Sequence, residues 1–223
     1  LRKDSEQVVR KAISACLPDE AVRRALEGKE FPGRVVLVSV GKAAWRMADA
    51  VWKALNGKIS KGVVLTKYGH LSGPIGNLEL YEAGHPVVDE ASVAGTERIL
   101  ELVKGLAPSD TVLFLVSGGG SALFEKPLIP LSELAEVNRQ LLACGASIGE
   151  MNSIRKRLSA VKGGRFAELC RPAKVFAVVL SDVIGDRLDV IASGPAAPDR
   201  STCKEAAETV KRYGLQLSEK AME

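Results

Sequence analysis

An α/β fold built on a parallel, doubly wound sheet flanked by helices is what this sequence predicts. Three observations predict it. Short apolar, β-branched runs recur along the chain. Amphipathic stretches with apolar residues at steps of three and four stand between them, and glycine-containing turns close most of the runs. Strands that are apolar throughout must be covered on both faces, and helices between them supply the cover. In such a sheet ligands bind outside the carboxyl ends of the strands, near the switch in strand order. Chemistry is therefore sought at the strand ends.

Taken in order, residues 4–16 read as a helix with Val8, Val9, Ala12, Ile13 and Cys16 on one face. Pro18 interrupts it, and Asp19 would cap a short helix over 20–27. Arg34 to Val40 (RVVLVSV) is a central strand, followed from about Ala43 by a helix carrying Ala44, Met47, Ala48, Val51, Trp52 and Leu55 at helical spacing. Asn56-Gly57 ends that helix. Gly62 to Thr66 and Leu78 to Ala83 are the second and third strands, and Asp89 caps a helix to about Lys104. Thr111 to Val116 is the fourth strand. Ser132 caps a helix to about Ala146, and Asn152 caps the next. Val175 to Leu180 is the fifth strand, and Ser201 opens a helix ending near Gly214.

A chain of 223 residues holds one large α/β domain, or one domain and part of another. Its 46% apolar and 26% charged residues suit a globular core and a solvated surface. No apolar run approaches the roughly 20 residues that span a bilayer. The start, LRKDSEQVVRKAI, is charged and amphipathic without a signal-peptide core. Both predict a cytoplasmic protein that does not engage membranes. A net charge of +4 and 4% aromatic residues speak against a nucleic-acid surface. Cys16, Cys144, Cys170 and Cys203 lie far apart, with no CxxC pair and no histidine cluster, which disfavours a zinc site. They are expected to be small buried residues in a reducing compartment.

The fourth strand runs into Ser117-Gly118-Gly119-Gly120-Ser121. Three glycines remove the Cβ atoms that block close approach and permit positive φ, which suits a loop holding phosphate or carboxylate on its N–H groups. A tight ligand-free turn is the other reading. The first strand ends at Gly41-Lys42, where a helix begins. A cation there opposes the helix dipole by a few tenths to about 1 kcal/mol, a cost offset if Lys42 meets an anion. The spacing is not that of a Walker A loop. The two histidines, His70 and His85, both follow strand ends and are candidate general bases. After the fifth strand, Asp182, Asp186 and Asp189 surround a glycine, a pattern that suits Mg²⁺ held through carboxylates and water, or a loop of backbone caps. Ser193-Gly194-Pro195 reads as a second tight turn on the same rim. Asn152, Arg155, Ser159 and Lys162 are spaced to share one polar helix face, opposite the apolar Ile154, Leu158 and Val161. Such a face suits a carboxylate or phosphate, or solvent.

Five phrases, in order, resemble the N-terminal domain of the class II glycerate kinases: VGKAAWRMA, EAGHPVVDE, LVSGGGSALFE, NSIRKRLSAVKGGRFA and LSDVIGDRLDVIASGPAAPD. The resemblance implies a three-layer Rossmann-like domain, a smaller second domain and an active site in the cleft between. It implies ATP-dependent phosphorylation of D-glycerate to 2-phosphoglycerate with Mg²⁺, and makes Lys42 catalytic. On this reading residues 1–223 are the N-terminal domain. The end, with Ser218 capping a helix that has just begun, is expected to be a truncation. The glycine loop would hold phosphate or the glycerate carboxylate, and Asn152, Arg155 and Lys162 would clamp an anionic end. Asp182 would accept the hydroxyl proton, and Asp182 or Asp186 would hold Mg²⁺. His85 and Asp189 are further candidates, and a homodimer is compatible with the sequence. Two alternatives from other classes are an NAD(P)H-dependent hydroxypyruvate reductase and a non-catalytic sugar-phosphate-binding module. The reductase would need GxGxxG after the first strand and an acid ending the second, where GKAAWR and Thr66-Lys67 stand.

Overall fold

The computed structural model describes residues 2–55, 57–181 and 183–222. Its centre is a five-stranded sheet in the order β3-β2-β1-β4-β5, every neighbouring pair parallel. The strands are β1 (Val35–Val40), β2 (Ile59–Lys67), β3 (Glu79–Ala83), β4 (Thr111–Val116) and β5 (Lys174–Val179). Strand order reverses direction between β1 and β4. Val40 pairs with Leu65 on one side and Val116 on the other, so the carboxyl ends of the three central strands lie level. The loops after β1 and β4 thus flank the switch point, where such sheets bind ligands.

Burial explains why these runs are strands. Every residue of β1 and β4 is buried, as their unbroken apolar sequences require. On one face Val35, Leu37, Val64, Leu113 and Leu115 pack with α2 (Pro18–Leu26) and α3 (Ala44–Leu55). On the other, Val36, Val38, Leu65 and Phe114 pack with α4 (Glu90–Leu102) and with the short α5 (Gly120–Leu123) and α8 (Arg165–Leu169). A third, smaller cluster joins α6 (Leu131–Ala143), α7 (Ile148–Arg157) and α9 (Cys203–Tyr213) through Leu134, Val137, Leu141, Ile154, Leu158 and Ala206. The remaining helices are α1 (Arg2–Ala15) and α10 (Glu219–Met222). Among the described residues no helix is long and apolar enough to cross a membrane.

Several expectations change. Strand β2 starts three residues early, because a register shift beside Val35 lets Ser60 donate to the Val35 carbonyl. Pro18 opens α2 at its first turn, where no N–H is needed, and Asp19 pairs with Arg46. The N-cap of α6 is Pro130, not Ser132. Asn152 sits mid-helix; α7 is capped by Ser147, in a capping box with Glu150. Thr202, boxed with Glu205, replaces Ser201 as the cap of α9. The apolar face of α1 is not buried: Val8, Val9 and Ile13 are all exposed. Cys16 and Cys203 are exposed as well, and only Cys170 is fully buried. Asn56, expected to help end α3, lies outside the described residues. Asp89 caps α4 as expected, and Ser218 accepts from the Ala221 N–H at the start of α10.

Candidate functional site

The loop Ser117–Ser121 leaves β4 at the switch point and is fixed from below. Phe114 of β4, Phe124 just past α5 and Phe166 of α8 form a three-ring cluster with centroids 4.7–5.8 Å apart, each pair contributing about 0.5–1.5 kcal/mol beyond its buried area. Ser117 is itself buried and spent internally. Its Oγ accepts from the Ala43 N–H at 3.0 Å and donates to the Val40 carbonyl at 3.4 Å. The Lys42 N–H donates to the Gly118 carbonyl at 2.9 Å. The N–H groups of Lys42 and Ala43, which lead into α3, are therefore occupied by the loop itself, and Ser117 builds the site rather than facing a ligand.

Gly118, Gly119 and Ser121 differ. Among the described residues their N–H groups have no hydrogen-bond partner, and all three residues are partly exposed. Gly119 has φ +88°, and a Cβ there would lie 2.9 Å from the His85 ring and 3.1 Å from Lys42 Cγ. Only glycine lets the chain approach both side chains. A Cβ on Gly120 would lie 2.8 Å from that of Ala192. The loop after β4 thus meets the loops after β1, β3 and β5.

The corner is electropositive. Lys42 is exposed, and among the described residues neither it nor Lys67 forms an ion pair. His70 Nδ1 donates to the Lys42 carbonyl at 3.0 Å. His85 is half-buried, and burial first, then the positive charge of Lys42, Lys67 and His70, pulls its pKa below the ordinary value.

The polar face expected from Asn152 to Lys162 does not form as such, because α7 ends at Arg157 and the helical spacing cannot be carried on to Lys162. Lys162 is buried in an ion pair with Glu125, also donating to the Phe124 carbonyl at 3.2 Å. Burial lowers its pKa while Glu125 opposes. Arg155 donates to Asn138 Oδ1 at 2.7 Å, and burial likewise lowers its pKa. Neither lies free on a rim. Asn152, by contrast, accepts from Ser193 Oγ at 3.1 Å, and Ser193 Oγ lies 3.2 Å from Ser121 Oγ. The Ser193-Gly194 turn faces this rim, as its sequence predicts, and its serine joins the glycine loop, which no local pattern signals. Ala192 and Ser193 hold φ of +52° and +61°, strained for non-glycine residues at about 1–3 kcal/mol each.

Asp182 lies outside the described residues. Asp186 is exposed with φ +48°. Asp189 is engaged by Arg187 at 2.7 Å, which holds its carboxyl below the usual range. Among the described residues no three of His, Cys, Asp and Glu gather as a metal site.

Comparison with known proteins adds identity to this geometry. The family described as Domain of unknown function (DUF4147) matches residues 4–223. The chain belongs to the DUF4147 family. Within it, D-glycerate 2-kinase of Thermotoga maritima is 57% identical over 98% of this chain and 53% of its own length. A relative from Agrobacterium vitis carrying the name hydroxypyruvate reductase is 43% identical over 97% of this chain and 50% of its own. The crystal structure of a T. maritima glycerate kinase superposes with a TM-score of 0.92 at 55% identity, covering all of this chain and 54% of that one. The resemblance to the glycerate kinases read from the five phrases is thereby borne out, as is the parallel α/β fold. This DUF4147 chain spans about half the length of the curated relatives it matches.

Proposed function

We propose that the protein transfers the γ-phosphoryl group of ATP to D-glycerate, giving 2-phosphoglycerate, in a cytoplasmic setting. The observation that carries this is the corner where N–H groups of Gly118 and Gly119, unpartnered among the described residues, adjoin Lys42 and His85. Phosphoryl transfer asks mainly for positioning and neutralisation of charge on the equatorial oxygens. Gly118 and Gly119 hold anionic oxygens of phosphate or glycerate, and Lys42 neutralises charge on the group in transit. Neutral His85 stands beside them. Ser117 and Lys162 brace the loop from behind. Asp182 is retained as the group that accepts the hydroxyl proton. Residues 1–223 form one wall of the cleft, and a second domain supplies the other.

The described residues do not fit a protein-built Mg²⁺ site: Asp189 is paired, Asp186 is exposed, and no third acid joins them. Mg²⁺ enters only as the counter-ion of ATP, and no step here runs through it. The reductase reading is disfavoured by the engaged N–H groups of Lys42 and Ala43. A dinucleotide pyrophosphate needs that helix end free, and an acid where Lys67 stands. Lys42→Ala tests the assignment in the full-length protein. The kcat for glycerate phosphorylation should fall by about 10²–10³, with unchanged circular dichroism and unfolding midpoint. Undiminished kcat would remove Lys42 from the chemistry.

A further inference from the structure

Ser193 sits in a turn whose left-handed backbone at non-glycine residues the local sequence does not ask for. Ala192, Ser193 and Gly194 are successive left-handed residues, all buried. The turn is held from outside. Gly163 N–H donates to the Ser193 carbonyl at 3.1 Å and Gly164 N–H to the Gly194 carbonyl at 2.7 Å. So fixed, the Ser193 hydroxyl stands between Asn152 Oδ1 and Ser121 Oγ.

A hydroxyl has one proton to donate. With the Asn152 amide set so that Oδ1 faces Ser193, its buried Nδ2 having no partner among the described residues, Ser193 gives its proton to Asn152 Oδ1, and the donor in the Ser121–Ser193 bond is Ser121. The Ser121 hydroxyl then has only lone pairs to offer a ligand. An anionic oxygen brings no proton and is refused there, whereas an alcohol is accepted. Two and three residues earlier, Gly119 and Gly118 offer N–H donors.

We propose that Ser193 is a positioning residue that fixes Ser121 as a hydrogen-bond acceptor, so that the loop reads a substrate hydroxyl at Ser121 beside an anion at Gly118 and Gly119. The ligand class is a small hydroxy acid, recognised by its alcohol as well as its charge. This rests on the kinase reading above and adds the residue that selects the acceptor substrate. It removes the Ser121 hydroxyl, though not the Ser121 N–H, from the groups that donate to phosphate.

The test compares wild type, Ser193→Ala and Ser193→Gly in the full-length protein, the glycine variant keeping the left-handed turn without strain. Glycerate KM and ATP KM are measured. So is inhibition by lactate, which lacks the 3-hydroxyl, and by 3-hydroxypropionate, which lacks the 2-hydroxyl. In the wild type at least one analogue should bind about tenfold or more weakly than glycerate. Both variants should raise glycerate KM toward that analogue's inhibition constant, with ATP KM unchanged. A folded Ser193→Gly protein with wild-type glycerate KM and discrimination, or with only ATP KM raised, overturns the inference and leaves the kinase reading standing. Absence of glycerate-dependent ATP consumption in the wild type overturns the kinase reading, and the inference with it.

Discussion

His85 carries the sharpest information at the scale of single residues. Its ring is half-buried among Lys42, Lys67 and His70, all of which oppose its protonation, so it stays neutral near pH 7. Because its folded pKa lies below the unfolded value of 6.5, the unfolded chain takes up more protons between the two. Stability is therefore lost as pH falls below 6.5. A bound anion changes the balance by offsetting the lysines. Inorganic phosphate should raise the His85 pKa. Histidine ring resonances followed by NMR with and without phosphate read this directly, and a His85 pKa indifferent to saturating phosphate would place the anion elsewhere. Lys42, His85 and the three glycines were legible in the sequence because strand ends in a parallel sheet converge. The Ser193 contact was not. Its backbone is set by Gly163 and Gly164, some thirty residues away in sequence, and no local turn pattern encodes that.

Among the elements, the segment from Lys162 to Gly164 holds the site together, although it does not touch ligand in this account. Lys162 pairs with Glu125 just past α5, and the next two residues grip the Ser193 turn. Both partners of the ion pair are almost fully buried. Removing one leaves the other charge uncompensated, which typically costs about 3–5 kcal/mol. Lys162→Met should therefore lower stability by that order in denaturant unfolding, while Lys162→Met with Glu125→Leu recovers much of it. If Lys162 instead clamped substrate at a rim, the single variant would weaken binding and leave stability untouched. Sequence periodicity placed Lys162 on a ligand-facing helix because it assumed that α7 ran on past Arg157. The capping box of Ser147 and Glu150, rather than Asn152, sets where α7 begins. Strands β1 and β4 were read to within a residue because apolar runs with no polar interruption leave little choice of period.

For the whole molecule, the order β3-β2-β1-β4-β5 puts the loops after β1 and β4 side by side. That single topological fact turns separate phrases of sequence into one corner. Fold class and strand count were readable from alternation alone. The exposure of Val8, Val9 and Ile13 on α1 was not, since amphipathic spacing reports a face without saying whether this chain covers it. The proposed reaction is transfer of phosphate from ATP to glycerate, with the described residues as one wall of the cleft. It is tested most directly by a coupled assay on the full-length protein, with ATP consumption followed against D-glycerate and NADH or NADPH oxidation against hydroxypyruvate. The account predicts glycerate-dependent ATP turnover that falls about 10²–10³-fold in Lys42→Ala, and no oxidation of either nicotinamide. Hydroxypyruvate-dependent NADH or NADPH oxidation without ATP turnover would contradict it.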